Sequence, residues 1–172
     1  MSNSILKLLG ALMLLAAGVY AGTVNLKREK RELESMRDFC AALEILRGEL
    51  ATRSCGLPEL MGAVRLKSHG DAETFFAALS ASMYLLGEEE FSTIWTRAAK
   101  ELPLPVAFRV IWDGIGLSLG RFELGMQLSA LEHTVEELRS IAEKAERSYP
   151  DRSRVSFALP AAAAALLAIL LI

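Results

Sequence analysis

A chain of 172 residues with a formal net charge of −2 is long enough for one modest core, and its charge balance excludes the basic stripe that nucleic-acid binding needs. Two cysteines, Cys40 and Cys55, are too few for a disulfide framework and read as reduced, partly buried thiols, which could pair only if this part of the chain faced an oxidising space. Hydrophobic residues make up 52 % of the chain, which is high for a soluble protein, and the excess lies at the two ends.

The first element is "ILKLLGALMLLAAGVYAGTVNL", residues 5–26, with Lys7 as its one charge. A helix of about 20 apolar residues crosses a hydrocarbon core of about 30 Å, so a membrane-spanning helix is predicted over 4–26. A rival reading is a cleaved signal peptide, with Lys7 before the apolar run and Val19-Tyr20-Ala21 as the cleavage site. Against it stand Lys27, Arg28, Lys30 and Arg31 directly after the run, since basic residues beside a span stay in the cytoplasm.

Residues 27–154 then read as a helical bundle, because periods near 3.5–3.6 dominate and no convincing alternating strand pattern occurs. Leu33, Met36, Cys40, Leu43, Leu46 and Leu50 form an apolar seam on a helix that continues the first span. Pro58 suits a first helical turn and opens a short helix over 58–66. Asp71 is the expected N-cap of a helix over 72–86, with Phe75, Phe76, Leu79, Met83 and Leu86 inward and Gly87 as its stop. A helix over 88–102 buries Phe91, Ile94, Trp95 and Ala98, and "PLP" at 103–105 breaks the chain. The helix over 106–119 presents Phe108, Ile111, Ile115 and Leu119. Over 120–149, Leu124, Leu128, Leu131, Val135, Leu138, Ala142, Ala145 and Tyr149 recur at alternating spacings of four and three, an unbroken heptad seam. The seam leaves open whether it packs within the bundle or against a second copy. The fold class is therefore all-α: an antiparallel six-helix bundle flanked by N- and C-terminal transmembrane helices.

The chain closes on "SFALPAAAAALLAILLI", which carries no charge, so 155–172 is the second predicted span. It is apolar on every face and has no polar side to turn to water. Arg152 and Arg154 precede it and also favour the cytoplasm. Both ends thus place the bundle inside the cell and both termini outside.

Chemistry-bearing motifs are absent. His69 and His133 are far apart and read as solvated side chains, no metal-binding or Walker-type motif occurs, and Glu88–Glu90 reads as an acidic helix start. No metal, cofactor or catalytic residue is expected. One stretch is unusual: in "DGIGLSLGRFELGMQ", residues 113–127, four glycines crowd a helix junction. Gly116 and Gly120 lie four apart and let another backbone approach. Glu123 and Gln127 share a helix face. The stretch is either a turn or an interface.

These features together resemble the stage III sporulation protein AB family of endospore-forming bacteria. "LKLLGALMLLAAGVYAG" is similar to that family's opening span, and "REKRELESMRDFCAALEILRGEL" to its first helix. "GLSLGRFELGMQ" fits its G-x-x-L-G-x-x-D-x-x-x-Q pattern at Gly116, Leu119, Gly120, Glu123 and Gln127, with Glu123 where the family has Asp. Pro160 and Ala164 stand where the last span has glycines. The resemblance implies a fold like the cytoplasmic domain of the platform proteins of type II secretion and type IV pilus machines. It also implies a role in the channel complex linking mother cell and forespore. The implied partners are a secretion-type ATPase and the other membrane proteins of that complex. The implied place is the mother-cell membrane around the forespore, with Gly116, Leu119, Gly120, Glu123 and Gln127 as a partner interface. The competing reading is a secreted, tail-anchored binding or sensor domain released from a signal peptide.

Overall fold

The computed structural model describes residues 2–52, 55–119 and 124–171, and among them the chain is all-helical. The helices are α1 (Ser2–Thr52), α2 (Leu57–Lys67), α3 (Gly70–Ala81), α4 (Phe91–Ala99), α5 (Val106–Ser118) and α6 (Leu124–Leu171), with one 3-10 turn at Met83–Leu85. They divide into two compact units: Met1–Arg31 with Ala145–Ile172, and Glu32–Lys144.

The two flanking spans do not stand as separate helices. No proline occurs before Pro58, so nothing interrupts α1 over its 51 residues. The helix α6 runs on through both Pro150 and Pro160. Among the described residues no helix is long and apolar enough to cross a membrane. Many side chains of the two apolar stretches (2–9, 156–157 and 167–171 among them) lie outside the described residues.

In the unit of Glu32–Lys144 the core is aromatic. Phe39 of α1, Phe75 and Phe76 of α3, Trp95 of α4 and Trp112 of α5 are all fully buried. The ring centroids of Phe39 and Trp112 lie 4.5 Å apart, those of Phe75 and Trp95 4.9 Å, and those of Trp95 and Trp112 5.2 Å. Most are edge-on contacts, each adding about 0.5–1.5 kcal/mol beyond area burial. The Trp95 indole N–H donates to the Trp112 carbonyl at 3.0 Å. The seam of α1 is buried except for Cys40, which is half-buried. On α6, Leu131, Val135, Leu138 and Ala142 are buried, so this part of the heptad seam packs inside the bundle. Arg139 donates to Glu44 at 2.9 Å and Arg47 pairs with Glu132 at 3.5 Å, which set the register of α1 against α6. Exposed pairs of this kind contribute about 0–1 kcal/mol each, so burial dominates.

Three local expectations are corrected. The helix predicted over 72–86 stops at Ala81, where the Ser82 hydroxyl turns back to the Ala78 carbonyl at 3.0 Å. The 3-10 turn follows, Gly87 reverses the chain at φ +112°, and Leu86 is left exposed. Glu88–Glu90 precede α4 rather than opening a longer helix, with Glu90 at its N-cap. The N-cap of α3 is His69, not Asp71. The carboxylate at that helix start comes from α1: Asp71 N–H donates to Asp38 Oδ2 at 3.4 Å. Gly70 has φ +59°, and a Cβ there would lie 2.0 Å from Asp38 Oδ2, so both backbone and space require glycine.

Burial holds the Asp38 carboxyl above its ordinary 3.8, against the Asp71 N–H, which favours the charged form. A carboxyl raised on folding stabilises the protein fully below its unfolded pKa. That stability is lost as pH rises through the folded value. Asp38→Asn keeps an acceptor for Asp71 and removes the charge. Its melting temperature relative to wild type is therefore expected to increase from pH 3.5 to pH 7, read by circular dichroism; a constant or falling difference contradicts this account of Asp38.

In the unit formed by the chain ends, α1 and α6 meet through small residues. Gly18 and Ala164 are buried, and a Cβ on Gly18 would lie 2.5 Å from the Ala164 Cβ and 2.9 Å from the Pro160 carbonyl oxygen. Gly22, one turn further on, is also buried. Among the described side chains, Tyr20 is 72 % exposed, Leu159 65 % and Leu166 69 %.

Candidate functional site

The glycine-rich junction begins on the last turn of α5. Gly116 is buried there, and a Cβ on it would lie 2.5 Å from Trp95 Cγ. The close approach anticipated for a backbone is made by an indole ring. Leu119, also buried, ends the helix with its N–H donating to the Ile115 carbonyl at 3.0 Å. Gly116 and Leu119 both line a cleft of about 260 Å³ closed by Leu57, Leu86 and Phe91, with Glu90 and Ser92 at its polar edge. Gln127 is half-buried on the first turn of α6 and does not line this cleft. Gly120 and Glu123 lie outside the described residues. The structure therefore brings together Gly116 and Leu119, and gives both a part in packing the end of α5.

The charged residues expected to fix topology are solvent-facing. Lys27, Arg28, Lys30 and Arg31 on α1 and Arg154 on α6 are exposed, while the Arg152 side chain lies outside the described residues. All of them belong to the unit formed by the two chain ends.

Burial pushes the Cys40 thiol up to about 11, against the pull of Arg139, so it stays protonated at neutral pH. Cys55 is a free thiol, half-buried after the end of α1. His69, at the N-cap of α3, and His133, on α6, are exposed. Among the described residues no group of three or more His, Cys, Asp or Glu side chains is placed to hold a metal ion. Ser68 is buried, its hydroxyl donating to the Val64 carbonyl at 2.8 Å.

The sequence reading missed Trp112, whose ring sits at the centre of the aromatic cluster. The signal was present, since Phe108, Trp112, Ile115 and Leu119 recur at four, three and four residues. Ile111, chosen instead, is only half-buried.

A search among curated proteins gives no match. Among solved structures the chain is similar to one described as stage III sporulation protein AB (SpoIIIAB), at 19 % identity and a TM-score of 0.62, covering 70 % of this chain and 97 % of that one. That likeness carries the fold. The model of the family described as stage III sporulation protein AB matches residues 7–172, nearly the whole length. On that match, the chain belongs to the stage III sporulation protein AB family.

Proposed function

We propose that this protein is a non-catalytic membrane scaffold of the channel complex between mother cell and forespore. Its bundle stands in the cytoplasm and docks a secretion-type ATPase and the other membrane proteins of the complex. The observation that carries the membrane part is the inverted packing of the chain ends. Glycine and alanine face inward at Gly18, Gly22 and Ala164, while Met13, Tyr20, Leu159 and Leu166 face outward. Water penalises such a surface by about 25 cal/mol per Å² of apolar area. Lipid does not, and small residues let helices approach closely in lipid. The same pairing favours a retained first segment over a cleaved signal peptide, because cleavage after Ala21 would remove Gly18 from Ala164. The exposed basic residues at 27–31 and Arg154 favour a cytoplasmic bundle with both termini outside. The mother-cell membrane around the forespore is the expected place.

The scaffold role predicts that the tagged full-length chain, extracted with detergent from sporulating cells, co-purifies with the ATPase of the complex. Its gene deletion should block spore formation after engulfment. A chain recovered only from the soluble fraction, without the ATPase, contradicts the reading.

A further inference from the structure

A helix normally turns one apolar face to its core and a polar face to water. The helix α5 has two apolar faces. Phe108, Trp112, Ile115 and Leu119 face the core, while Val106, Val110 and Leu117 on the other side are 80 %, 66 % and 53 % exposed. The outward residues recur at four and seven, a continuous stripe. Between Val110 and Leu117 sits Gly114, with open space where a Cβ would stand. Val110, Gly114 and Leu117, together with α4, line a cleft of about 730 Å³.

The rim of the cleft is basic. Arg97 of α4, Lys100 at its C-cap and Arg109 of α5 border it, with Asp113 the one acid in its lining. The arginines are anchored: Arg97 pairs with Glu89, and Arg109 donates to the carbonyls of Lys100 and Leu102, fixing the loop between α4 and α5. Asp113 Oδ1 and, one turn before it, Arg109 Nε are both buried without a hydrogen-bond partner among the described residues. Such an acceptor is unfavourable unless something supplies a donor.

We propose that the cleft between α4 and α5 is a docking groove for an acidic amphipathic helix of a partner protein. The apolar stripe takes the partner's leucine-type face, Gly114 admits its backbone closely, and carboxylates on its flank meet Lys100 and the two arginines. A donor on the partner satisfies Asp113. With Glu89 paired to Arg97, a second copy presenting the same groove would set three cations and two acids against the same set, a net positive charge on each side that disfavours a symmetric self-contact. The proposal names a surface for the docking role above and rests on that reading only in requiring a protein partner.

The test places a benzophenone photo-cross-linking residue at Leu117 of the full-length chain in sporulating cells, and identifies the cross-linked peptide by mass spectrometry. Val110→Asp and Lys100→Glu are compared, both at exposed positions where folding is checked by circular dichroism. The expected product joins Leu117 to an acidic amphipathic helical segment of another protein, and each variant lowers its yield by about tenfold, as loss of a hot-spot contact does. Cross-links to a second copy or to lipid, to a basic or extended segment, or none at all, overturn the proposal. So does an adduct indifferent to both variants. If the adduct fails while the ATPase still co-purifies, the groove is wrong and the scaffold reading stands.

Discussion

Gly116→Leu is expected to destabilise the bundle. Leucine is the better helix former by about 1 kcal/mol, so local propensity alone predicts a gain. Packing reverses the sign. A Cβ at this position would lie 2.5 Å from Trp95 Cγ and 2.7 Å from Trp95 Cβ, and the remaining leucine atoms need still more room. Overpacking costs about 1–3 kcal/mol, occasionally more. Displacing the indole also removes its hydrogen bond to the Trp112 carbonyl, worth about 1 kcal/mol. Trp95→Ala, which empties the same place, is expected to cost about 3–5 kcal/mol. The two are coupled: in the double variant the leucine occupies the space the indole left. The summed losses should exceed the loss in the double variant by at least about 1 kcal/mol, measured by chemical denaturation. Additive losses would show that Gly116 does not act through Trp95.

The second large effect belongs to the chain ends. Gly18→Leu should pry apart α1 and α6, because the glycine faces both the Ala164 methyl and the Pro160 carbonyl without a side chain between. Spin labels at exposed Tyr20 and Leu159, on the protein in lipid nanodiscs, report the separation. The mean distance is expected to widen on the order of 2 Å, as a glycine contact moves toward the 8–10 Å axial spacing of ordinary packed helices. Gly18→Ala should widen it less. Adding Ala164→Gly to Gly18→Ala should recover part of the change, since the nearer of the two obstructing groups is then gone. An unchanged distance in Gly18→Leu contradicts the pairing.

The helical class, the α1 seam and the inward face of α4 were legible because period and side-chain type agree there. Leu43, Leu46, Ile94 and Trp95 are all buried as their spacing requires. The failures share a cause: a local signal was overridden by a tertiary contact. Asp71 looked like a cap, but a carboxylate distant in sequence, Asp38, takes the helix start, and pattern reading within one helix cannot find it. Gly116 and Gly120 read as an invitation to a backbone, whereas Trp95, 21 residues before Gly116, fills the space at the first of them. The exposed stripe of Val106, Val110 and Leu117 was also hidden. An apolar helix with two candidate faces does not reveal which one its neighbours cover. The expected interface at Gly116 and Leu119 thus gains a packing role, and the groove on the far side of α5 is visible only once the fold is known.

The measurement that bears most directly on the account is the side of the membrane on which the bundle lies. Cys40 is a poor probe, since its thiol is held protonated and half-buried. A Cys40→Ala chain carrying Glu73→Cys at an exposed position of α3 gives an accessible one. It is produced in non-sporulating cells, where the outer face of its membrane is open to the medium, and treated with a membrane-impermeant maleimide before and after permeabilisation. Labelling only after permeabilisation is the predicted result and places the bundle in the cytoplasm, where an ATPase can reach it. Full labelling of intact cells would put the bundle outside and contradict the scaffold reading.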